Sequence, residues 1–432
     1  MSPAELVALA RDARRAQRRL AAGGGERRTA VLRRLAERLT THEEELIAEN
    51  RADVDEAERQ GLARPLLDRL RLGAGKLAVL GQGLETLAAA GDPVGRVLRA
   101  TELDEGLVLR QVTSPLGVLL VIFESRPDAV VQIGALALRA GDAVLLKGGA
   151  EAARSNRALV GCLRAALADE GLDPAAVTLV EGRDAVHGLL ALDHEIDLVI
   201  PRGSSELVRT VQAATRIPVL GHAEGICHLY LDAAADPDKA LHLAIDGKCD
   251  APSACNATET LLVHRAFLPL LPALGAAFAA LGVELRADDE ALAVLPVAMP
   301  AGERDGATEY GDLILAVRTV GSLDEAVAWI HEHGSAHTDA IVTEDRVAAA
   351  RFLAEVDSAS VFVNASTRFA DGFRYGLGAE VGISTSRLHA RGPVGVEGLL
   401  TTRWLLEGDG HVAGDYAPGR RTFRHRPLAP AP

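Results

Sequence analysis

Short apolar runs alternate with longer amphipathic stretches along most of the chain after residue 117. Each run has the length of a strand that is buried on both faces, and each stretch between two runs has the length of a helix. Strand, short loop, helix and strand in succession predict a parallel, doubly wound sheet. The predicted strands of this first series are 118–123, 143–146, 177–180, 196–200, 218–220 and 227–231.

A second series of the same kind follows residue 249. Its predicted strands are 258–264, 313–320, 339–343 and 360–363, and its predicted helices include 323–333 and 345–356. Residues 364–382 form a long, polar, Gly-rich loop, and a loop of that length is usually functional. The pattern therefore predicts an α/β fold with two doubly wound domains.

The remaining segments flank these two series. Residues 3–60 predict two Arg/Glu-rich amphipathic helices broken at three glycines, and a third helical stretch reaches residue 90. Residues 97–112 predict a hairpin, and 394–406 predict a further strand. A Pro/Arg-rich tail from residue 417 is expected to be mobile. The uncharged stretch 266–283 is long enough to suggest a membrane span, but its prolines and glycines favour a buried helix.

Composition narrows the class of protein. Apolar residues make up 48% of the 432 positions and aromatic residues only 3%, so a large aliphatic core is expected. The formal charge of −14 argues against a nucleic-acid-binding surface. The cysteines show no C-x-x-C pair and no Cys/His spacing typical of zinc, so we expect a reducing, cytoplasmic setting and no metal. They are Cys162, Cys227, Cys249 and Cys255.

Cys255 lies among small residues, between the two α/β series, and just before a predicted strand. One interpretation is a small buried side chain, since free cysteine is often buried. The other is a nucleophile, because small neighbours let a substrate approach the sulfur and a thiolate attacks acyl carbons and aldehydes. The backbone amides of Cys255 and Asn256 would then be donors for an oxyanion. The loop alone leaves both interpretations open.

Several polar residues follow predicted strands, at the sheet edge where ligands of such folds bind. Gly203-Ser204 opens a helix and suits a phosphate, Lys147 suits a ribose or its phosphate, and Arg126 suits a carboxylate or phosphate. The alternatives are a solvated lysine, an N-cap serine and an arginine paired with Glu124 or Asp128. No G-x-G-x-x-G follows a strand, so a standard dinucleotide fingerprint is missing.

Two histidines and a glutamate lie close together near the end of the first series. His222, Glu224 and His228 have the chemistry of acid/base groups, and equally that of structural residues. Their spacing does not match a metal-ligand geometry. The sequence leaves their roles open.

Together these features resemble the aldehyde dehydrogenase superfamily, and within it the branch that reduces an acyl phosphate of glutamate. The resemblance covers nearly the whole chain, to about Tyr416, and includes Glu309-Tyr310-Gly311 ahead of a strand. The stretches that carry it are 121–128, 200–204, 225–228, 254–262, 363–369 and 388–393.

The resemblance implies a division of the chain and an assembly. It implies an NADPH-binding domain formed by 1–96 and 116–248, a catalytic domain formed by 249–390, and a tail formed by 417–432. Residues 97–115 and 391–416 would supply oligomerisation strands, so a homo-oligomer is expected. No nucleic acid or membrane partner is expected.

It also implies roles for single residues. Cys255 matches the nucleophile, Lys147 the lysine that contacts the adenosine ribose and its phosphate, and Glu309 the acid that holds the nicotinamide ribose. Gly203 and Ser204 match the turn near the pyrophosphate and nicotinamide of NADPH. Further residues are weaker predictions for substrate binding. They are Arg126, Asn256, Asn364, Ser366 and Arg368.

The implied reaction is NADPH-dependent reduction of L-glutamyl 5-phosphate to L-glutamate 5-semialdehyde, with release of phosphate, through a Cys255 thioester. This is a step of proline biosynthesis, and a separate glutamate 5-kinase could channel the substrate to it. Two features depart from the wider superfamily: Glu124-Ser125-Arg126 replaces the usual Trp-Asn, and the general-base glutamate would fall near Gly221, with Glu224 displaced from it. The alternatives are a hydrolysing aldehyde dehydrogenase and a non-catalytic protein in which Cys255 is inert.

Overall fold

The computed structural model describes residues 1–182, 184–222, 224–418 and 420–429. The chain begins with helices, and a capping box formed by Ser2 and Glu5 starts the first of them. Residues 3–60 form three helices, whereas two were predicted. A new helix starts after His42, because Glu43, Glu44 and Glu45 favour a helix N-terminus in its first turn. The helices are α1 (Pro3–Ala22), α2 (Gly25–Thr41), α3 (Glu43–Arg59), α4 (Arg64–Leu70) and α5 (Ala74–Ala89).

The first α/β series forms a parallel sheet in the order β5-β4-β3-β6. Residues 218–220, predicted as a strand, form only a bridge between Val199 and Val219. The strand predicted to end at Ile200 continues to Arg202, which brings that arginine to the carboxyl edge of the sheet. The elements are β3 (Val118–Phe123), α6 (Asp128–Ala140), β4 (Ala143–Lys147), α7 (Ala153–Asp169), β5 (Val177–Leu179), α8 (Asp184–Leu190), β6 (Leu198–Arg202) and α9 (Ser205–Ala214).

The second series forms a parallel sheet in the order β10-β9-β11-β8-β7-β12-β13. Two short strands at one side of the sheet, the edge strand β10 and its neighbour β9, were not predicted. The strands are β7 (Cys227–Leu231), β8 (Thr258–His264), β9 (Glu284–Ala287), β10 (Met299–Pro300), β11 (Ile314–Val320), β12 (Thr338–Val342) and β13 (Ser360–Val363). The helices are α10 (Pro237–Cys249), α11 (Leu271–Ala280), α12 (Asp289–Leu292), α13 (Leu323–His333) and α14 (Arg346–Glu355).

Sheet membership moves the predicted domain boundaries. The prediction placed 116–248 in the first domain, but β7 pairs with β8 and β12 of the second sheet. Ala240 and Ala244 of α10 also pack in the second core. A buried apolar strand carries no mark of the sheet that it joins, so the sequence could not show this crossing. After the second sheet, Val381 and Val394 return to the first core.

A small antiparallel sheet has the order β16-β2-β1-β17. The hairpin predicted at 97–112 is confirmed. The strand predicted from Val394 starts later, because Val394 ends β15, which pairs with β14. The strands are β1 (Val97–Asp104), β2 (Leu107–Pro115), β14 (Gly382–Ser384), β15 (Gly392–Val394), β16 (Leu400–Glu407) and β17 (Arg426–Leu428).

The C-terminal tail was expected to be mobile, but its described part is held against the hairpin. β17 pairs with β1, and the amide of Arg424 donates to the carbonyl of Leu103 at 2.7 Å. Arg421 and Arg424 both contact the carboxylate of Asp104, at 2.8 and 3.1 Å. The pairing of this buried carboxylate with tail arginines explains why the segment is ordered. Residues 419 and 430–432 of the predicted tail lie outside the described residues.

The uncharged stretch after β8 is not a continuous helix. A 3₁₀ turn spans Arg265–Leu270 and includes Pro269, and the α-helix starts only at Leu271. In the part of the chain that the structure describes, no helix combines the length and the hydropathy needed to cross a bilayer.

Candidate active site

The loop that carries Cys255 joins α10 to β8, and a buried ion pair fixes its two ends. Lys248 Nζ lies 2.7 Å from Glu259 Oε2, and both side chains are fully buried. Glu259 Oε1 also accepts a hydrogen bond from the amide of Gly311 at 3.2 Å. Burial raises the pKa of Glu259 to about 7, against the opposing effect of Lys248. Since breaking a buried pair costs about 3–5 kcal/mol, this clamp holds the loop rigidly.

Residues at the start of β7, and just before it, contact the backbone of Cys255 and hold it in place. A Cβ at Gly225 would lie 2.1 Å from the Cys255 carbonyl oxygen, so only glycine permits this approach. The Sγ of Cys227 donates to the same oxygen at 3.3 Å. Burial raises the pKa of Cys227 well above its ordinary value, so that thiol stays protonated. Cys227 therefore supports the loop, and the half-buried Cys255 is the thiol that reaches the cleft.

Cys255 lines a cleft of about 620 Å³ between the carboxyl edge of the first sheet and the amino edge of the second. Lys147, Asn364 and Ser366 are not among its lining residues. The predicted site residues that line it are Arg126, Gly203, Ser204, Cys255, Asn256, Glu309 and Arg368.

Arg126 presents a cation to this cleft. Within the described residues no carboxylate lies within 4.0 Å of its guanidinium, so the predicted alternative of an ion pair with Glu124 or Asp128 is wrong. Burial lowers the pKa of Arg126, and the nearby Arg202 lowers it further. Arginine remains charged despite such shifts. The cation is therefore available to an anion bound beside Cys255.

The turn before α9 has the geometry of an anion site. Ser204 Oγ caps the helix by accepting from the amide of Leu207 at 3.3 Å, which confirms the N-cap interpretation. The amide of Ser204 donates to Glu124 Oε2, also at 3.3 Å. A Cβ at Gly203 would lie 2.5 Å from that oxygen, so a larger residue there would displace the Glu124 carboxylate. A carboxylate thus already contacts a helix N-terminus that favours anions.

Lys147 ends β4 at the carboxyl edge of the first sheet, outside the Cys255 cleft. Its Nζ donates to the carbonyl of Gly148 at 2.5 Å. The next two residues are glycines, and a Cβ at Gly148 would lie 2.1 Å from Asn156 Nδ2 and one at Gly149 2.0 Å from Glu151 Oε1, so larger residues would displace these side chains. The lysine thus lies beside two glycines at the edge of the sheet where ligands bind in such folds.

The loop after β13 uses two predicted substrate-binding residues to hold its own shape. The amide group of Asn364 accepts from the Thr343 N–H at 3.0 Å and donates to the Thr343 carbonyl at 2.8 Å. Ser366 is buried, and its Oγ accepts from the amide of Arg368 at 3.3 Å. The side chains of Asn364 and Ser366 are thus engaged away from the cleft.

The other two predicted residues of this region link the loop to the cysteine. Asn256 Nδ2 donates to the carbonyl of Ala370 at 2.9 Å, so its side chain anchors the loop. Arg368 Nε donates to Asp250 at 3.1 Å and the residue lines the cleft. Among the described residues, no group accepts a hydrogen bond from the backbone amide of Cys255 or of Asn256. Both amides can therefore serve an oxyanion at Cys255.

The structure places His222, Glu224 and His228 in three different surroundings. His222 lines the cleft, and its Nδ1 lies 2.8 Å from the carbonyl of Ile383. Burial lowers the pKa of His222, which favours the neutral ring. Glu224 pairs with Arg209 at the surface, and His228 pairs with Asp339 in the core. Of the three, His222 alone lines the cleft.

Sequence reasoning missed four residues around Cys255. Arg69, Arg202 and Glu380 line the cleft, and His337 lies close to Cys255 and His222. The sequence could have indicated Arg202, because it follows a predicted strand at the ligand-binding edge; its position was interpreted as part of a loop, whereas it ends β6. Arg69 on α4 and His337 before β12 carried none, because only the tertiary fold brings them here.

A family model of the aldehyde dehydrogenase family matches residues 1–301. A γ-glutamyl phosphate reductase from a Cyanothece species is 52% identical over 429 residues, which cover 99% of each chain. The chain belongs to the γ-glutamyl phosphate reductase branch of this family. Another such reductase, from a Synechococcus species, is 54% identical over 406 residues, covering 92% of this chain and 89% of the relative.

Solved structures agree with this placement. The crystal structure of the γ-glutamyl phosphate reductase from Thermotoga maritima has 37% identity and a TM-score of 0.91, and covers 94% of this chain and 99% of that one. An acetylating aldehyde dehydrogenase from Geobacillus thermoglucosidasius, 17% identical with a TM-score of 0.67, covers 95% of this chain and 98% of that one and shows the shared fold alone. The predicted α/β, aldehyde-dehydrogenase-like fold is confirmed, and the chain is an oxidoreductase. The family implies a nicotinamide cofactor.

Proposed function

We propose that the chain reduces L-glutamyl 5-phosphate to L-glutamate 5-semialdehyde with NADPH and releases phosphate, as a step of proline biosynthesis. The observation that carries the proposal is the Arg126 guanidinium, which has no carboxylate within 4.0 Å among the described residues and lies in the same cleft as the Cys255 thiol. An acyl phosphate offers an electrophilic carbon to the thiol and an anionic leaving group to the arginine. The names of the relatives support the same substrate.

The cleft residues account for acyl transfer to the enzyme. The Cys255 thiol attacks the acyl carbon, a C–S bond forms, and the bond from that carbon to the phosphate oxygen breaks. The amides of Cys255 and Asn256 stabilise the oxyanion, and Arg126 holds the leaving phosphate. His222, kept neutral by burial, can take the thiol proton. The bound cofactor supplies the hydride that reduces the thioester. Collapse of the resulting thiohemiacetal releases the aldehyde and restores Cys255.

The residues proposed to hold the cofactor fit an extended phosphate-bearing ligand. Gly203, which has no Cβ, lies just before the N-terminus of α9. Lys147 lies beside Gly148 and Gly149, and Glu309 lines the Cys255 cleft. Glu124 now accepts from the Ser204 amide and would have to yield to a pyrophosphate. Lys147 would contact the ribose phosphate, Gly203 and Ser204 the pyrophosphate region, and Glu309 the nicotinamide ribose.

Changing Lys147 to alanine is expected to raise the KM for NADPH about 10-fold or more, and the KM for NADH much less. The reason is that a charge-assisted hydrogen bond contributes about 1.5–3 kcal/mol, and NADH lacks the ribose phosphate. Steady-state kinetics with both cofactors measure this. Lys239→Ala is the control, since Lys239 pairs with Glu344 at the surface. Equal effects on the two cofactors would remove Lys147 from this role.

We also propose that the chain assembles through its small antiparallel sheet. β16 is an edge strand whose residues after Leu400 are all exposed, and Trp404 and Leu406 are more than half exposed. Such an edge is a template for pairing with another chain. Light scattering at micromolar concentration should show at least a dimer, which Leu406→Glu weakens and Val347→Glu, at a still more exposed position, does not. A wild-type monomer would refute the assembly.

The direct test of the reaction is oxidation of NADPH with freshly prepared glutamyl phosphate. Absorbance of NADPH should fall and phosphate should appear in equal amounts, because each turnover consumes one acyl phosphate. We propose that a separate glutamate 5-kinase supplies this unstable substrate, so a kinase-coupled assay serves as well. Absence of turnover, together with iodoacetamide labelling of Cys255 that substrate does not slow, would favour a non-catalytic protein.

A further inference from the structure

Three side chains that could bind a metal ion, one of them Cys255, lie close together in the cleft region. The Sγ of Cys255 and one ring nitrogen each of His222 and His337 lie within 4.8 Å of one another. His222 follows the crossing from the first sheet, Cys255 precedes β8 and His337 precedes β12, so three separate segments converge. The two imidazole rings meet edge to face, with centroids 4.9 Å apart.

Each histidine has one nitrogen engaged and one left for a further partner. His222 Nδ1 lies 2.8 Å from the Ile383 carbonyl and must donate to it, so the neutral ring carries its lone pair on Nε2. His337 Nδ1 lies 2.8 Å from Thr338 Oγ1. His337 is fully buried, and its Nε2 has no hydrogen-bond partner among the described residues. An outer partner on one nitrogen is the usual arrangement of a metal-binding histidine.

We propose that His222, His337 and Cys255 bind Zn²⁺ and that the bound ion reversibly blocks the nucleophile. Two neutral imidazoles and one thiolate suit this borderline-soft cation, and three protein ligands leave a fourth position for water. As the Zn–S bond forms, the thiol proton passes to solvent, and nothing is oxidised or reduced. A chelator that removes the ion restores the thiol.

The geometry needs only a small contraction. Zinc–ligand distances of about 2.0–2.3 Å place tetrahedral ligand atoms about 3.5 Å apart, so no separation in the cluster has to close by more than about 1.3 Å. Cys255 is half-buried and its side chain faces the open cleft, which leaves it room to turn. Zinc binding itself is independent of the substrate, whereas the inhibition rests on the proposed role of Cys255.

The test uses Co²⁺ as a spectroscopic probe on the full chain without substrate. The wild-type protein should show thiolate-to-cobalt absorption that Zn²⁺ displaces. Cys255→Ser should abolish this absorption and Cys249→Ser should keep it. Competition with Zn²⁺ should show that His222→Gln and His337→Gln each weaken binding at least about 10- to 100-fold, whereas the surface change His194→Gln leaves it unchanged.

A second readout follows the thiol itself. Zn²⁺ should slow iodoacetamide labelling of Cys255, read by mass spectrometry, and EDTA should restore it. Cobalt absorption that survives Cys255→Ser, or wild-type zinc affinity in either histidine variant, overturns the site; if His337→Gln does not fold, His222→Gln decides by the same criterion. Zinc binding without reduction of glutamyl phosphate would refute the proposed function and support this site.

Discussion

Replacing Cys255 with serine is expected to lower kcat by at least about 10³-fold, the scale on which covalent enzymes lose rate when their nucleophile is removed. A hydroxyl is a far weaker nucleophile than a thiolate unless a strong base activates it. Ring nitrogens of His222 and His337 lie within 4.8 Å of the sulfur, but the Nδ1 atoms of these rings contact a carbonyl and a hydroxyl, not the carboxylate that would make an imidazole a strong base for a hydroxyl. Serine at this position would therefore lack the activation that it needs. Single-turnover and steady-state rates measure the loss.

Two cysteines provide matched controls. Cys162 is buried in the first hydrophobic core, and Cys249 ends α10 without lining the cleft. Burial raises the pKa of each thiol, which disfavours the reactive thiolate. Cys162→Ser and Cys249→Ser should therefore keep turnover close to wild type. A Cys255→Ser protein with a tenth of the wild-type rate would show that the covalent mechanism is wrong.

The fold could be predicted wherever a single segment carries its own signal. The buried strands β3 and β8 were predicted to the residue, because β3 is a continuous apolar run and β8 combines β-branched and apolar residues directly after a loop. Helix α13 was predicted equally well, since Ser322 caps its start. The sheet that β7 joins and the partner of β17 could not be predicted, because both depend on contacts between segments distant in the chain.

The site follows the same division. Cys255 and the Gly203-Ser204 turn could be found, since their local sequence already has the required small residues and helix cap. The substrate-binding role of Asn364 stays a prediction; the structure shows its amide completing two hydrogen bonds to Thr343, a partner that the sequence could not reveal. His337 could not be found at all, because it precedes an ordinary buried strand and reaches Cys255 only through the fold.

The reverse reaction is expected to depend on phosphate, with turnover rising from near zero as phosphate is added. Run backwards, glutamate semialdehyde and NADP⁺ would give a Cys255 thioester, which must then be cleared. A hydrolysing relative clears it with water activated by a glutamate, but the resemblance predicts that position near Gly221, and Glu224 is paired with Arg209. A lost general base costs about 10²- to 10⁴-fold. Inorganic phosphate needs no such activation, and Arg126 can hold it beside the thioester.

The experiment measures NADPH formation at fixed semialdehyde and NADP⁺, with phosphate as the variable. Arsenate should replace phosphate, whereas sulfate, similar in shape but a poor nucleophile, should not. Gly221→Glu supplies the reciprocal variant, because a Cβ there would meet Pro201 only at 3.6 Å, an ordinary contact. Its carboxylate should raise the phosphate-independent rate. Full activity of the wild-type protein in phosphate-free buffer would mean that another residue activates water, and the assignment would then pass to a hydrolysing dehydrogenase.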